Sequence, residues 1–289
     1  MKKDLLIKKY FNQKEKLSLN NNAYLEQVKK FTQDLLENDI TSNAVIKGNK
    51  KAQAKIFSKE QGIVAGLAEV VWFLEKNNIK IKKNKKDGDA VKENEQLLLL
   101  SGKIKDILKT ERIALNLLQR MSGIATQTFL FTKKIKHRAL ICPTRKTLYG
   151  MLDKKAVTIG NGGTHRLGLH DFILIKDNHL AFLKNKIEKV SINLNKKKLF
   201  WEIEVKNKKE AYWAAHLKPG AIMFDNFKPK EIKRAINNIN KYYPDIIFEA
   251  SGGITLKNIK KYKKIGVDII SCGSLTHSIK ALDMSLDIL

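Results

Sequence analysis

The sequence predicts an α/β fold whose C-terminal half is a barrel of parallel strands, and three observations support this. After residue 138, short apolar runs recur at 139–142, 172–175, 200–205, 221–225, 246–250 and 268–273. Helix-like segments at 207–217, 228–239 and 255–266 separate the last four runs, an alternation typical of βα units. No Gly-x-Gly-x-x-Gly turn follows the first of these strands, which favours a barrel over an open nucleotide-binding sheet.

The N-terminal half mixes helices with strands. Residues 20–36 predict a helix, with Tyr24, Val28, Phe31 and Leu35 on one stripe. The remaining predicted elements are short strands with turns at 39–46 and 52–66, a helix at 66–78, an Asp-Gly turn and strand at 87–102, and a long helix at 105–135.

Length and composition limit the class of protein. The 289 residues suffice for one large barrel or two medium domains with a sizeable core. No apolar run reaches the roughly 18 residues of a membrane span, and the basic N-terminus is too interrupted by charge for a signal-peptide core. The two cysteines, Cys142 and Cys272, have no metal-ligand or disulfide spacing, which favours a reducing cytoplasm.

The net charge of +27 raises the hypothesis of a nucleic-acid-binding protein. Only six of the 56 basic residues are arginines, and the lysine-rich runs at 79–86 and 195–198 contain no aromatic residue. Because nucleic-acid sites commonly use arginine forks and stacking aromatics, a solvated lysine surface is the favoured interpretation. An arginine that persists in so lysine-rich a chain indicates a need for a planar, bidentate cation, as in "TERIALN", "PTRKT" and "THRLGL".

Charged and polar residues follow the predicted barrel strands at their C-terminal ends, where the active sites of such barrels lie. The cations are Arg145, Lys146, His165, Arg166 and Lys176, and the carboxylates are Glu204 and Asp225. The cations suit a substrate with several carboxylates or phosphates, and the carboxylates suit a Mg²⁺ that bridges phosphate oxygens. "SGGIT" at 251–255 is expected to open a helix whose N–H groups receive a phosphate.

Nine stretches of the chain carry a resemblance to a known family. They are "DITSNAVI" (39–46), "KEQGIVAGL" (59–67), "ERIALNLLQRMSGIAT" (111–126), "TRKT" (144–147), "HRLGL" to "LIKDNH" (165–179), "EIEV" (202–205), "MFDN" (223–226), "EASGGIT" (249–255) and "CGSLTHS" (272–278). In this order they resemble the motifs of the quinolinate phosphoribosyltransferase family and span nearly the whole chain.

The resemblance implies a reaction and an architecture. Quinolinate would react with phosphoribosyl pyrophosphate and Mg²⁺ to give nicotinate mononucleotide, pyrophosphate and CO₂ in NAD biosynthesis. The fold would pair an N-terminal α/β sandwich domain, residues 1–115 joined by 276–289, with an incomplete parallel α/β barrel at 116–275, as in type II phosphoribosyltransferases. The family further implies a homodimer, or a higher assembly of dimers, whose active sites are each completed by the neighbouring subunit.

The resemblance also implies roles for individual residues. The catalytic residues would be Lys146, Glu204 and Asp225, with Lys146 between acceptor and donor and the two carboxylates holding the ribose hydroxyls and Mg²⁺. The quinolinate site would comprise Arg112 of the neighbouring subunit with Arg145, His165, Arg166 and Lys176. The phosphoribosyl 5′-phosphate would lie against Ser251, Gly252, Gly253, Gly273 and Ser274.

The sequence departs from the family pattern beside the expected acceptor pocket. The departures are Pro143, Leu148, Tyr149, Leu152, Asn161 and Thr164. None of them falls in the donor motifs, so a relative that acts on a different acceptor, as in the molybdenum-transport-associated branch of the family, is an alternative. A basic nucleic-acid-binding protein is a second alternative, from a different functional class.

Overall fold

A computed structural model describes residues 2–33, 38–183 and 186–289. Its helices are α1 (Lys2–Phe11), α2 (Asn22–Gln33), α3 (Ile40–Val45), α4 (Leu67–Lys76), α5 (Ile104–Ile135), α6 (Met151–Ile159), α7 (Asp177–Leu183), α8 (Ile187–Lys196), α9 (Lys208–His216), α10 (Pro229–Ile239) and α11 (Ser274–His277). Its strands are β1 (Lys51–Ser58), β2 (Gly62–Ile63), β3 (Lys80–Lys83), β4 (Ala90–Val91), β5 (Gln96–Lys103), β6 (Leu140–Cys142), β7 (Ile173–Ile175), β8 (Trp201–Val205), β9 (Ala221–Asp225), β10 (Ile247–Ser251), β11 (Ile269–Ser271) and β12 (Met284–Ile288).

The chain forms two compact units that interleave along the sequence. The barrel unit comprises Met1–Gln13, Leu130–Lys146 and Gly162–His277. The sandwich unit comprises Lys14–Phe129, Thr147–Asn161 and Ser278–Leu289. In this division one boundary falls inside α5, between Phe129 and Leu130, and the N-terminal residues are grouped with the barrel. The predicted domain boundaries at residues 115 and 275 stay predictions.

The barrel unit contains a six-stranded sheet in the order β6-β11-β10-β9-β8-β7. Every neighbouring pair in it is parallel. The strands β6 and β7 are consecutive in the chain but lie at opposite edges of the sheet, so the described strands do not close into a full ring. An incomplete parallel barrel is the architecture expected from the family resemblance, and it is confirmed.

Helix α1 packs against the N-terminal ends of the barrel strands. Phe11, at the end of α1, is buried in one cluster with the first residues of β9, β10 and β11, which are Ala221, Ile247 and Ile269. Leu6, Ile7, Tyr10, Leu140 and Phe200 pack against this cluster. Because apolar side chains fill this end of the barrel, the polar residues at the opposite, C-terminal ends of the strands are free to form a site.

The sandwich unit contains a four-stranded antiparallel sheet in the order β12-β1-β5-β3. Ile56 is buried at its centre and faces Leu286 on β12 and Leu98 on β5. The last strand therefore completes a sheet that begins at residue 51. A further pair, β2 with β4, is also antiparallel.

Two predicted elements are wrong. Residues 39–46 form helix α3 instead of a strand, because the side chain of Asp39 accepts a hydrogen bond from the Ser42 N–H at 2.9 Å and caps the first turn. The helix predicted at 255–266 is reduced to one 3₁₀ turn, Ile259–Tyr262. There the Asn258 side chain accepts from the Thr255 N–H and donates to the Gly253 carbonyl, so side-chain bonds replace a regular helical start.

The helix predicted at 20–36 is present as α2, Asn22–Gln33, and Leu35 lies outside the described residues. Within the described part of the chain, no helix is both long and apolar enough to cross a membrane.

Candidate active site

The C-terminal ends of the barrel strands surround a cleft of about 800 Å³. All but one of the predicted site residues line it. They are Arg145, Lys146, His165, Arg166, Lys176, Glu204, Asp225, Ser251, Gly252, Gly253, Gly273 and Ser274. The parallel register explains this convergence, because it aligns the end of β10 with that of β9, as in the pair Ser251 and Asp225. The functional roles of these residues stay predictions.

The remaining residue, Arg112, lies on α5 in the sandwich unit. Its side chain is 70% exposed, and its guanidinium lies 3.7 Å from the Glu111 carboxylate. The expectation that Arg112 serves the cleft of a neighbouring subunit stays a prediction.

The backbone at the start of the His165–Arg166 segment is hydrogen-bonded to the C-terminal end of α1. The carbonyl of Phe11 accepts hydrogen bonds from the N–H groups of Thr164, at 2.7 Å, and His165, at 3.0 Å. His165 has a left-handed backbone, with φ of 49°. This strained conformation follows from the two bonds to Phe11 and fixes where the segment enters the cleft.

The two ring nitrogens of His165 are both engaged by the protein. Nδ1 accepts a hydrogen bond from the Arg166 N–H at 2.8 Å. A neutral imidazole has only one accepting nitrogen, so Nε2 carries the proton and donates it to Glu249 Oε2 at 3.2 Å. His165 thus acts in this structure as a neutral, fixed wall of the cleft.

Two buried glutamates lie beneath the cleft, and the sequence analysis gave neither of them a role. Glu202 and Glu249 are both fully buried, and a carboxylate oxygen of each lies within 4.8 Å of His165 Nε2 and of the other. The period of two in "EIEV" places Glu202 on the same side of β8 as Glu204, a signal that could have identified it. Glu249 also lines the cleft.

The three side chains lie close enough together to hold a metal ion, but His165 is not arranged as a ligand. The Nε2 atom of His165 carries a hydrogen, so it has no lone pair for a metal. Burial, together with the negative charge of the neighbouring Glu249, raises the pKa of Glu202 well above its usual value. This shift favours the protonated, uncharged form of Glu202 beneath the cleft.

The cations of the cleft are crowded. Arg166 is only 8% exposed, and burial together with the nearby Arg145 lowers its pKa from the usual arginine value. An arginine nevertheless remains charged under all ordinary conditions. The electrostatic repulsion between Arg145 and Arg166 is therefore relieved when an anion binds between them. The arrangement is suited to a small ligand with more than one negative charge.

An ion pair links the cationic part of the cleft to its carboxylates. Lys176 Nζ lies 2.8 Å from Glu204 Oε2. On the next strand, Asp225 Oδ2 accepts a hydrogen bond from Asn226 Nδ2 at 3.0 Å. Glu204 and Asp225 present hard carboxylate oxygens to one cleft, which is the donor set that Mg²⁺ prefers when substrate phosphates and water complete its shell. The residues present therefore fit the predicted ion.

The Ser251–Gly253 segment forms a turn instead of the helix start that the sequence analysis expected. Gly252 and Gly253 both have positive φ, 93° and 59°. A Cβ on Gly252 would lie 2.2 Å from Asn226 Oδ1, so the turn packs directly against the residue that follows Asp225. Any phosphate here would be received by the N–H groups of a glycine turn.

The residues that depart from the family pattern do not line this cleft within the barrel unit. Leu148, Tyr149 and Leu152 instead line a separate, more apolar pocket of about 510 Å³ in the sandwich unit. The Tyr149 ring packs edge-on against Phe31, with centroids 4.9 Å apart, and the Arg120 guanidinium lies 4.5 Å from its centre. These contacts with Phe31 and Arg120, within the sandwich unit, thus account for an aromatic residue at position 149.

The incomplete parallel barrel, with a cleft lined by cations, carboxylates and a glycine turn, is the architecture of a barrel-type phosphoribosyltransferase. Two family models match the chain: quinolinate phosphoribosyl transferase, N-terminal domain, at residues 39–122, and the C-terminal domain of the same family at 124–287. The chain belongs to the quinolinate phosphoribosyltransferase family. The predicted family, fold class and enzyme class are thereby confirmed.

Similar proteins agree with this assignment. A probable nicotinate-nucleotide pyrophosphorylase (carboxylating) of Methanocaldococcus jannaschii is 44% identical, over 86% of this chain and 91% of the relative. The Bacillus subtilis protein of the same description is 38% identical, over 89% and 90%. The solved nicotinate-nucleotide pyrophosphorylase of Francisella tularensis superposes with a TM-score of 0.81 and 32% identity, over 91% of this chain and 96% of that one.

Proposed function

We propose that this protein transfers the phosphoribosyl group of phosphoribosyl pyrophosphate to the ring nitrogen of quinolinate. The products are nicotinate mononucleotide, pyrophosphate and CO₂, a step of NAD biosynthesis. One observation carries the proposal: the cations Arg145, Arg166 and Lys176, two carboxylates and a glycine turn all line a single cleft. A dianionic ring acceptor and a phosphorylated sugar donor are the ligands that such a cleft accommodates.

The acceptor lies among the cations. The guanidinium groups of Arg145 and Arg166 can each bind a carboxylate in a bidentate manner, which fixes the plane of the ring as well as its position. Arg112 of the neighbouring subunit adds a further cation, and we propose a homodimer, or an assembly of dimers, for this reason. The neutral His165 forms the wall behind the ring.

The donor lies along the carboxylates and the glycine turn. The N–H groups of the turn at Ser251–Gly253 and the Gly273–Ser274 segment hold the 5′-phosphate. Glu204 and Asp225 hold the ribose hydroxyls and would hold Mg²⁺, which supplies charge neutralisation to the pyrophosphate when it is bound. The donor is thereby oriented with its anomeric carbon toward the acceptor nitrogen.

Departure of pyrophosphate leaves positive charge on the ribose ring, and the carboxylates beside it stabilise that charge. Lys146, placed between acceptor and donor, neutralises the charge that develops on the leaving group. After the C–N bond forms, the ring nitrogen is cationic. Its positive charge therefore stabilises the electron pair left on the adjacent ring carbon when CO₂ departs, and a proton then binds to that carbon in place of the lost carboxylate.

The cationic set favours quinolinate over a monocarboxylate such as nicotinate. A monocarboxylate leaves part of the cationic set without a counter-ion, and each charge left unpaired in a site closed to water costs several kcal/mol. Both cysteines are buried and neither forms a disulfide, which supports the proposal that the protein works in a reducing cytoplasm.

The test is a pair of kcat/KM values, for quinolinate and for nicotinate, with saturating phosphoribosyl pyrophosphate and Mg²⁺. Formation of the mononucleotide and of CO₂ is followed in both reactions. We expect turnover of quinolinate with release of one CO₂ per product, and little turnover of nicotinate. Preference for nicotinate, or good turnover of another ring without quinolinate turnover, would move the protein to a different branch of the family.

A further inference from the structure

The backbone of Lys146 is tied to a distant part of the barrel unit. The Oγ1–H of Thr276 donates a hydrogen bond to the Lys146 carbonyl at 2.8 Å, across 130 residues of sequence. Thr276 is 0% exposed. Lys146 itself lies in the loop after β6, and its N–H bonds locally to the Thr144 hydroxyl at 3.1 Å. The bond from Thr276 therefore holds an exposed residue of the loop to a buried one of α11.

Thr276 is close in sequence to the residues that receive the 5′-phosphate. It lies in α11, the short helix that begins at Ser274, and its N–H donates to the Gly273 carbonyl at 3.1 Å. Gly273 and Ser274 line the cleft, as does Lys146, whereas Thr276 does not. Thr276 thus connects two parts of the proposed donor site. One is the Gly273–Ser274 segment, proposed to hold the 5′-phosphate, and the other is the backbone of Lys146, proposed to face the pyrophosphate.

We propose that Thr276 is a positioning residue for catalysis. Its hydrogen bond holds the backbone of Lys146 where the Lys146 side chain can contact the leaving pyrophosphate. This inference rests on the proposed function of the cleft. Lys146 has a long side chain on an exposed loop. The position of its ammonium group therefore depends on how firmly the loop backbone is fixed. Misplacement of a charged group by about 1 Å can reduce a rate by about two orders of magnitude.

The first experiment compares substitutions at Thr276. Thr276→Val keeps the shape of the side chain and removes the donor, whereas Thr276→Ser keeps the donor. We expect Thr276→Val to lower kcat about tenfold, with KM for both substrates within about twofold of wild type, and Thr276→Ser to stay near wild type. Thr128→Val is the matched control, because Thr128 is also fully buried and its hydroxyl also bonds to a backbone carbonyl, that of Ile124.

The second experiment asks whether Thr276 acts through Lys146. In a Lys146→Ala background, adding Thr276→Val should cause no further loss of kcat, because the ammonium group that it positions is already gone. A general structural role would multiply the two losses instead. If Thr276→Val does not fold, Thr276→Ala replaces it in both experiments.

Three results would overturn the inference: a Thr276→Val enzyme with wild-type kcat, a Thr276→Ser enzyme as impaired as the valine variant, or multiplying losses in the double variant. The wild-type enzyme is assayed first with quinolinate. Absence of turnover at that stage refutes the proposed function itself, so the two failures are distinguishable.

Discussion

Adjacent glycines in the proposed phosphate turn give the sharpest test of the cleft geometry. Gly252 and Gly253 both have positive φ, but their surroundings differ. A Cβ on Gly252 would lie 2.2 Å from Asn226 Oδ1 and 2.9 Å from the Asn226 backbone nitrogen, whereas the nearest atom to a Cβ on Gly253 is 4.0 Å away. Replacing each in turn by alanine therefore separates steric collision from backbone strain.

The expected costs follow from these contacts. A left-handed alanine costs about 1–2 kcal/mol at either position, and the loss of unfolded-state entropy returns about 0.4–1 kcal/mol. At Gly252 the collision also displaces Asn226, which donates from Nδ2 to Asp225 and from its N–H to the Ser251 carbonyl. Each lost bond costs about 1 kcal/mol. We therefore expect Gly252→Ala to lower the free energy of unfolding by about 3 kcal/mol and Gly253→Ala by about 1 kcal/mol or less.

Chemical denaturation of both variants measures this difference, and steady-state kinetics supplies the functional counterpart. Because Asn226 contacts Asp225, Gly252→Ala should also raise KM for phosphoribosyl pyrophosphate while KM for quinolinate changes little. Equal destabilisation by the two substitutions, or a larger effect at Gly253, would refute the packing described for this turn.

Three further predictions concern other parts of the chain. Lys146→Ala should lose most of kcat/KM while circular dichroism shows an intact fold, and near-normal kcat/KM would exclude its catalytic role. Arg112→Lys should impair quinolinate binding, since the bidentate fork is lost; mixing it with Arg166→Ala should restore part of the activity if subunits share sites, once subunit exchange is verified. Burial and the nearby Glu69 raise the pKa of Asp87, so the folded state binds more protons than the unfolded state above about pH 3.8. The contribution of Asp87 to the free energy of unfolding is therefore at its full value below that pH. This contribution is lost as the pH rises through the pKa of Asp87 in the folded state. Asp87→Asn should therefore be more stable than wild type at pH 7 but not at pH 3, as measured by denaturation at both.

The barrel strands could be predicted from the sequence because each is a short apolar run that ends in polar residues. The runs predicted at 200–205 and 221–225 correspond to β8, Trp201–Val205, and β9, Ala221–Asp225. Local side-chain chemistry explains the errors: Asp39 caps a helix within a stretch of strand-like composition, and Asn258 diverts a lysine-rich segment from a regular helix. Periodicity does not register such single hydrogen bonds.

The site shows a similar division. The cleft residues were predicted by motif and by their position after a strand, but Glu249 was hidden inside an apolar run as a buried polar residue. Its partner His165 lies 84 positions away, and only the fold brings the two together. The proposed role of Thr276 could not be predicted from the sequence for the same reason. Its hydrogen bond to Lys146 forms because β6 and β11 are neighbouring strands in the sheet.

The ion pair between Lys176 and Glu204 has a consequence for how the two substrates influence each other. Without ligands, the ammonium group and the carboxylate neutralise one another at 2.8 Å. With the proposed roles, an acceptor that engages Lys176 leaves Glu204 available to the sugar, and a donor that engages Glu204 leaves Lys176 available to the ring. Each ligand thus breaks the ion pair that would otherwise compete with binding of the other ligand. Linkage makes this cooperation reciprocal, so the factor by which quinolinate tightens donor binding must equal the factor by which the donor tightens quinolinate binding.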